Sequence, residues 1–232
     1  MHNSAKENGR LFFNTYNNSN NTVIIDVGSQ DFNNGADSLR SVVPKNAKYI
    51  GMDLESGPNV DLVMPNPYTF PLADNSVDMI VSSSCFEHSM FFWLTFNEMI
   101  RVLKPNGLAY INAPSNGPFH RFPVDCYRFY PDAGFALQNW ARYSGYHSVT
   151  LIESYTSLQD GDMWNDFVAI FIKDSQFLNT YSNRILYQIK NYTNGVIFNH
   201  SEFLNQSYWP EDFAKTHPDI LQNMYNGQQF TK

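Results

Sequence analysis

Cysteine is almost missing from this chain of 232 residues. The two present, Cys85 and Cys126, lie far apart in no Cys-x-x-Cys or Cys/His spacing, so neither a disulfide framework nor a structural zinc site has support and a reducing compartment is expected. Positive charge is scarce too. Lys and Arg number 15 against 22 Asp and Glu, a net charge of -7 with no basic stripe, which argues against a nucleic-acid partner. No apolar run approaches the ~20 residues that span a bilayer, and the opening "MHNSAKENGRLFF" has neither a long apolar core nor a cleavage pattern. Internal repeats are absent, and so is the dinucleotide fingerprint G-x-G-x-x-G, which lowers the standing of NAD. The expectation is a soluble, cytoplasmic protein that acts on a small-molecule acceptor, with no membrane span and an oligomeric state the sequence does not specify.

What is present is material for one sizeable core: 43% hydrophobic residues, 16% of the chain aromatic. Short apolar runs alternate with helical patterns, the signature of a parallel sheet with crossover helices. Strands are predicted at residues 22–27, 48–52, 61–63, 79–82 and 108–113. In "FFWLTFNEMIRVLK" the residues Phe92, Phe96, Met99, Ile100 and Leu103 have helical spacing, and "PNG" at 105–107 stops the helix. A second helix follows Pro131, with Phe135, Leu137, Trp140 and Tyr143 on its buried side and Gly145 at its exit. Residues 148–154 and 166–172 read as a closing antiparallel hairpin. The fold class is thus α/β: a Rossmann-like, doubly wound, mostly parallel seven-stranded sheet with an antiparallel last strand, plus a C-terminal tail. Residues 1–21 form an N-terminal segment, 22–173 the domain, and 174–232 an extension that serves as cap or partner surface.

In such a sheet the ligand lies outside the carboxyl ends of the strands. The turn after "VIIDVG" is the first candidate: Gly28 permits close backbone approach, and Asp26 can accept from a ligand donor. Asp53, at the end of the second strand in "YIGMDLES", stands where a carboxylate takes both hydroxyls of a ribose. The pair favours a mononucleoside ligand.

The block "FPLADNSVDMIVSSSCFEHSMFFWLTFNEMIRVLKPNGLAYINAPSNG" resembles the stretch from the fourth to the fifth strand of class I S-adenosylmethionine (SAM)-dependent methyltransferases, in the small-molecule branch labelled type 11. The resemblance covers residues 22–172. It implies SAM as cofactor, with Gly28, Ser29 and Gln30 around its methionine part, Asp53 on the ribose, and Leu54 on the adenine. It further implies that Asn66, Pro67 and Tyr68 edge the base and that Ser83 belongs to the same shell. The sequence departs from the family in its depleted glycine turn, "DVGSQDFNNG", and in Asn66, where relatives often carry an acid.

Three loops leave the same sheet edge: "SSSCFEHS", "APSNGPFHRFPVDCYRFYPD" and "YTSLQDGDMWND". The second resembles a subgroup of these enzymes that acts in surface-polysaccharide or sugar modification. His120 or His88 is the expected general base for a hydroxyl acceptor, with Glu87 or Asp125 orienting the imidazole, because a near-neutral pKa suits that role. The alternative is that Glu87 and His88 cap the next helix and that Asp125 with Arg128 braces the loop. Asp125, Tyr127, Arg128, Trp164 and Asn165 are the expected acceptor-binding residues, Trp164 by stacking on a sugar face. Magnesium on Glu87, His120, Asp125 or Asp132 matches no definite ligand spacing, so no metal is assigned. The leading reading is an O-methyltransferase; the alternatives are an N- or carboxyl-methyltransferase and a non-catalytic, methyltransferase-like binding subunit.

Overall fold

A computed structural model describes residues 3–17, 19, 21–32, 38–159 and 163–208. The elements in chain order are α1 (Asn3–Tyr16), β1 (Val23–Val27), β2 (Lys48–Asp53), β3 (Leu62–Val63), β4 (Val77–Ser83), α2 (Phe92–Val102), β5 (Leu103–Pro114), α3 (Asp132–Tyr143), β6 (Thr150–Ser157), β7 (Asp166–Ile172) and β8 (Tyr192–Ile197). The sheet order is β3-β2-β1-β4-β5-β7-β6-β8, with β7 antiparallel to both neighbours and β8 antiparallel to β6. The chain walks outward from β1 to β3 and then returns to place β4 on the other side of β1. That reversal opens a crevice at the carboxyl ends of β1 and β4, the position where doubly wound sheets take their ligands.

Strand alternation sends side chains to two cores. Ile25, Val27, Ile80 and Ile111 face α2 and α3, where Phe96, Met99, Ile100, Leu137 and Ala141 close over them. Ile24, Val81, Tyr110 and Tyr155 face the other way, onto Phe12, Phe13 and Tyr16 of α1 and onto Tyr181, Ile185 and Leu186. Each layer buries the one apolar face of its neighbour, as a parallel sheet requires.

Four expectations change. The sheet has eight strands rather than seven, because residues 192–197 of the presumed tail extend it beyond β6. The Asn194-Gly195 pair in "YTNGVI" has the look of a hairpin turn, but Asn194 takes φ +52° inside an irregular register against Ser154 and Thr156. The N-terminal segment holds a full helix. Its inward stripe, Ala5, Asn8, Gly9, Phe12, Phe13 and Tyr16, has helical spacing that Asn8 and Gly9 disguise. Gly9 is small because a Cβ there would sit 2.4 Å from Leu39. On α3 the buried face is Gly134, Leu137 and Ala141, whereas Phe135 and Tyr143 are exposed; at 3.6 residues per turn those two aromatics fall beside the stripe rather than in it. Finally, α2 ends at Val102 and β5 begins at once, since fully buried Leu103 pairs with Val77 before the Pro105-Asn106-Gly107 stretch.

Both ends of the described chain meet at one carboxylate. Glu153, on β6 and fully buried, accepts from the Tyr16 hydroxyl at 2.5 Å and from the backbone N–H of Ile185 at 2.8 Å and of Leu186 at 3.1 Å. Burial pushes its pKa up, and these donors oppose the shift. The carboxylate therefore ties α1, the sheet and the segment before β8 into one unit.

Candidate active site

The crevice floor is built by short-range chain geometry. Gly28 adopts φ +81°, a left-handed conformation that glycine takes without strain, and the N–H groups of Gly28 and Ser29 both donate to the Met52 carbonyl (2.9 and 3.2 Å). This turns the chain sharply at the end of β1. A Cβ on Gly28 would lie 2.5 Å from the Cys85 Sγ, so the turn after β1 and the loop after β4 are in direct contact. Cys85 is half-buried; desolvation pushes its thiol far up, which leaves it no nucleophilic thiolate near neutrality. Asp53, at the end of β2, accepts from the backbone N–H of Gln30 (2.8 Å) and of Leu54 (2.7 Å). Its carboxylate is held across the mouth of the crevice with remaining lone pairs available.

Asp26 is turned differently from the expectation that it meets the ligand. It lies on the α1 face, accepts from the Tyr49 hydroxyl and is buried. Burial raises its pKa to about 7, with the Tyr49 hydrogen bond opposing and Asp53 adding to the shift. Unfolded Asp titrates near 3.9, so between about pH 4 and pH 7 the folded protein binds the extra proton and stability falls as pH rises. Asp26→Asn is accordingly expected to be near neutral at pH 4 and to stabilise the protein above pH 7 by roughly 4 kcal/mol, at 1.36 kcal/mol per pKa unit. Thermal melts of both proteins across that range test this; equal melting differences at pH 4 and pH 8 would contradict it.

The other expected cofactor residues surround the same crevice. The Ser29 carbonyl accepts from the Asn59 side chain at 2.7 Å, and Leu54 is exposed at the rim. Asn66 accepts from the Tyr68 N–H at 2.9 Å, the Pro67 carbonyl accepts from the Thr95 hydroxyl, and Tyr68 packs on Phe91. The Asn66 carbonyl is thus spent locally on its own turn. Ser83 ends β4, buried. Gly35, the second glycine of the opening turn, lies outside the described residues, as do Asp160 to Asp162 and the chain beyond Tyr208.

Across the crevice, the loops after β4 and β5 bring Glu87, His88, His120 and Asp125 together. Glu87 sits in a short 3-10 turn, Phe86–His88, and does not cap α2, whose N-cap is Phe91. Its carboxyl is 1% exposed; Oε1 is 3.6 Å from His88 Nε2, and Oε2 has no hydrogen-bond partner. Burial first, then Asp166, raise its pKa to about 8 against the opposing pull of its own backbone N–H and of Arg128. His88 contacts the Val124 carbonyl through Nδ1, which fixes the tautomer with a proton on Nδ1 and a lone pair on Nε2. Burial lowers its pKa and keeps that ring neutral. His120 packs edge-on against His88, ring centroids 4.9 Å apart, and against Trp164 at 5.0 Å. Its Nδ1 lies 3.3 Å from the Pro118 carbonyl and 3.5 Å from Asp125 Oδ2.

Asp125 and Arg128 do brace the loop. The guanidinium grips the carboxylate through both nitrogens, at 2.6 and 2.9 Å, and reaches the carbonyls of Pro118 and Tyr127. This grip, ahead of the burial that opposes it, lowers the Asp125 pKa to about 2, and the same carboxylate accepts from the His120 N–H at 2.7 Å. Three further acceptor-side residues are spoken for: Tyr127 donates to the Met90 carbonyl, Trp164 lies over Gly117 and under the Arg128 guanidinium, and buried Asn165 bonds Ser115 and Asn116. Asn59, Asn116 and Gly117 are functional supports that sequence reasoning missed. Gly117 alone carried a signal: it has φ +101°, and any side chain would collide with Trp164 at 2.1 Å.

Residues 38–111 match the family described as Methyltransferase domain. An uncharacterized methyltransferase of Mycobacteroides abscessus is 35% identical over 80 residues, which is 28% of this chain and 31% of that protein; a second, from Mycobacterium sp. strain KMS, is 34% identical over 74 residues, covering 28% and 29%. The chain therefore spans about a third of the length of the curated relatives it matches. Among solved structures, the Burkholderia thailandensis 1,6-didemethyltoxoflavin-N1-methyltransferase, with 1,6-didemethyltoxoflavin and S-adenosylhomocysteine bound, superimposes with a TM-score of 0.57 at 14% identity over 74% of this chain and 79% of that one. YcgJ of Bacillus subtilis gives 0.55 at 12% identity over 75% and 100%; such identities speak for the fold. The fold is that of the class I SAM-dependent methyltransferases, and residues 38–111 are similar to their methyltransferase domain. SAM is the cofactor of that class.

Proposed function

We propose that this chain transfers the methyl group of SAM to a hydroxyl of a small polar acceptor, of the sugar or surface-polysaccharide precursor kind. The observation that carries the reading is the pairing, across one crevice, of the Gly28 turn and Asp53 carboxylate with a histidine pair on the loops after β4 and β5. Gly28, Ser29 and Gln30 would hold the methionine end of SAM, Asp53 its ribose hydroxyls, and Leu54 with residues 66–68 the adenine. In the reaction, the acceptor oxygen attacks the sulfonium methyl in line: the new O–CH3 bond forms, the S–CH3 bond breaks with its electron pair left on sulfur, and the hydroxyl proton passes to an imidazole Nε2. His120 is the better placed base, being more exposed than His88, with Asp125 as its positioning residue. The chemistry asks for little covalent help, so alignment supplies most of the acceleration.

Calorimetric titration of SAM and of its demethylated product into the wild type and Asp53→Ala tests the cofactor half. Micromolar binding is expected in the wild type. The variant should lose at least about 100-fold, since a hydrogen bond to a charged group contributes ~1.5–3 kcal/mol and the carboxylate is assigned two. A folded wild type that binds neither compound would overturn the reading.

A further inference from the structure

The Glu87 carboxyl is buried with one oxygen unengaged. It is 1% exposed, and among the described residues no Lys or Arg forms an ion pair with it; the other oxygen stands 3.6 Å from His88 Nε2. Burying a carboxylate without compensation is costly, and such groups in proteins are paired, protonated or bound to a cation. Around it, Glu87, His88 and His120 each offer a ligand atom, and the three atoms all lie within 4.8 Å of one another.

We propose that Glu87, His88 and His120 form a binding site for a divalent transition-metal ion. The orientation of both rings is what distinguishes the trio from a chance cluster. His88 is anchored through Nδ1 to the Val124 carbonyl, and His120 through Nδ1 to the Pro118 carbonyl and the Asp125 carboxylate, which leaves both Nε2 lone pairs for an ion; a bound ion would occupy the lone pair that His120 uses as base in the metal-free protein. Metal-ligating histidines are held in this way, by a carbonyl or carboxylate on the other nitrogen. Donors at about 2.1 Å from a common ion stand about 3.4 Å apart in a tetrahedral site, so the widest pair needs to close by up to about 1.4 Å. Side-chain rotation in a loop accomplishes that. Two imidazoles and one carboxylate suit zinc, iron(II), cobalt(II) or manganese(II) better than magnesium or calcium, which prefer oxygen throughout. Three protein ligands leave positions open for a small molecule, on the side of the crevice where the acceptor is assigned.

Ion binding does not depend on methyl transfer, so the two readings fail separately. Untagged full-length protein, freed of metal by a chelator, is titrated with Zn2+ by calorimetry and with Co2+ by visible absorption. One ion per chain is expected, with d–d bands from bound cobalt. Glu87→Gln, His88→Ala and His120→Ala should each weaken binding by more than about 100-fold, because loss of a second-shell partner alone costs ~10–100-fold. His147→Ala, an exposed histidine on the connection between α3 and β6 at the opposite edge of the sheet, should bind as the wild type does. Thermal melts confirm that each variant is folded; Glu87→Gln keeps the shape of the side chain and serves where an alanine does not fold. No saturable binding to the wild type, or binding unchanged in the three folded variants, overturns the site whatever the outcome of the SAM titration.

Discussion

A chain ending at Asp174 is expected to lose its cooperative thermal transition altogether. The deleted part contributes Tyr181, Ile185, Leu186, Tyr192, Val196 and Ile197 to the core, none more than 9% exposed. Full burial of a large apolar side chain stabilises by ~1.5–3 kcal/mol, and even with allowance for a compact unfolded state, several such losses reach the ~5–15 kcal/mol that hold a typical domain together. Two further penalties follow from the same cut. Glu153 loses the Ile185 and Leu186 N–H groups while staying buried, and β6 becomes an uncovered edge strand. Circular dichroism on heating, with SAM titration beside it, is the measurement. A truncated chain that melts cooperatively and keeps its SAM affinity but turns over slowly would instead make residues 174–232 a cap over the site, as the sequence alone suggests.

Gly28→Val is expected to abolish SAM binding and to destabilise the protein by about 4 kcal/mol. Two independent penalties add here. A β-branched residue at φ +81° adopts a backbone conformation that costs ~1–2 kcal/mol, and the added carbons meet Cys85 at distances real Cβ atoms do not show. For a protein of this length that corresponds to a drop in melting temperature of roughly 8–16 °C. The steric part is separable from the strain. Combining Gly28→Ala with Cys85→Gly removes the atoms Gly28 would strike, so the pair should recover part of the Gly28→Ala loss and leave the backbone part in place. Additive losses in that cycle would show that the two loops do not press on each other.

The parallel half of the sheet was legible because its strands are short apolar runs ending in signals with a mechanism: Gly28 after β1 and Asp53 at the end of β2. The β6–β7 pair was legible for the same reason. What escaped had its pattern masked by polar residues placed for long-range contacts. Asn8 interrupts the apolar stripe of α1 because it donates to Asn112 across the sheet, and Asn194 and Gly195 interrupt β8 because the strand bulges there. The candidate site divides along similar lines. Residue type and spacing singled out Glu87, His88, His120 and Asp125, which the fold does gather. They did not reveal that Asp26 turns to Tyr49, or that Asn165 is buried among backbone partners, since which face of a strand end is wet depends on what another segment lays against it.

The Glu153 junction also bears on how fast this molecule can fold. Its donors come from positions 137 residues before it and 32 to 33 after it, so the buried carboxylate is satisfied only when nearly the whole described chain has been gathered in. Closing such long loops is paid in chain entropy before any contact returns it, and proteins dominated by distant pairings fold slowly. During synthesis the strands that build the crevice emerge well before Ile185. Until that residue leaves the ribosome, the nascent sheet carries an exposed edge and a carboxylate without two of its three donors, the period in which this chain has most need of a chaperone.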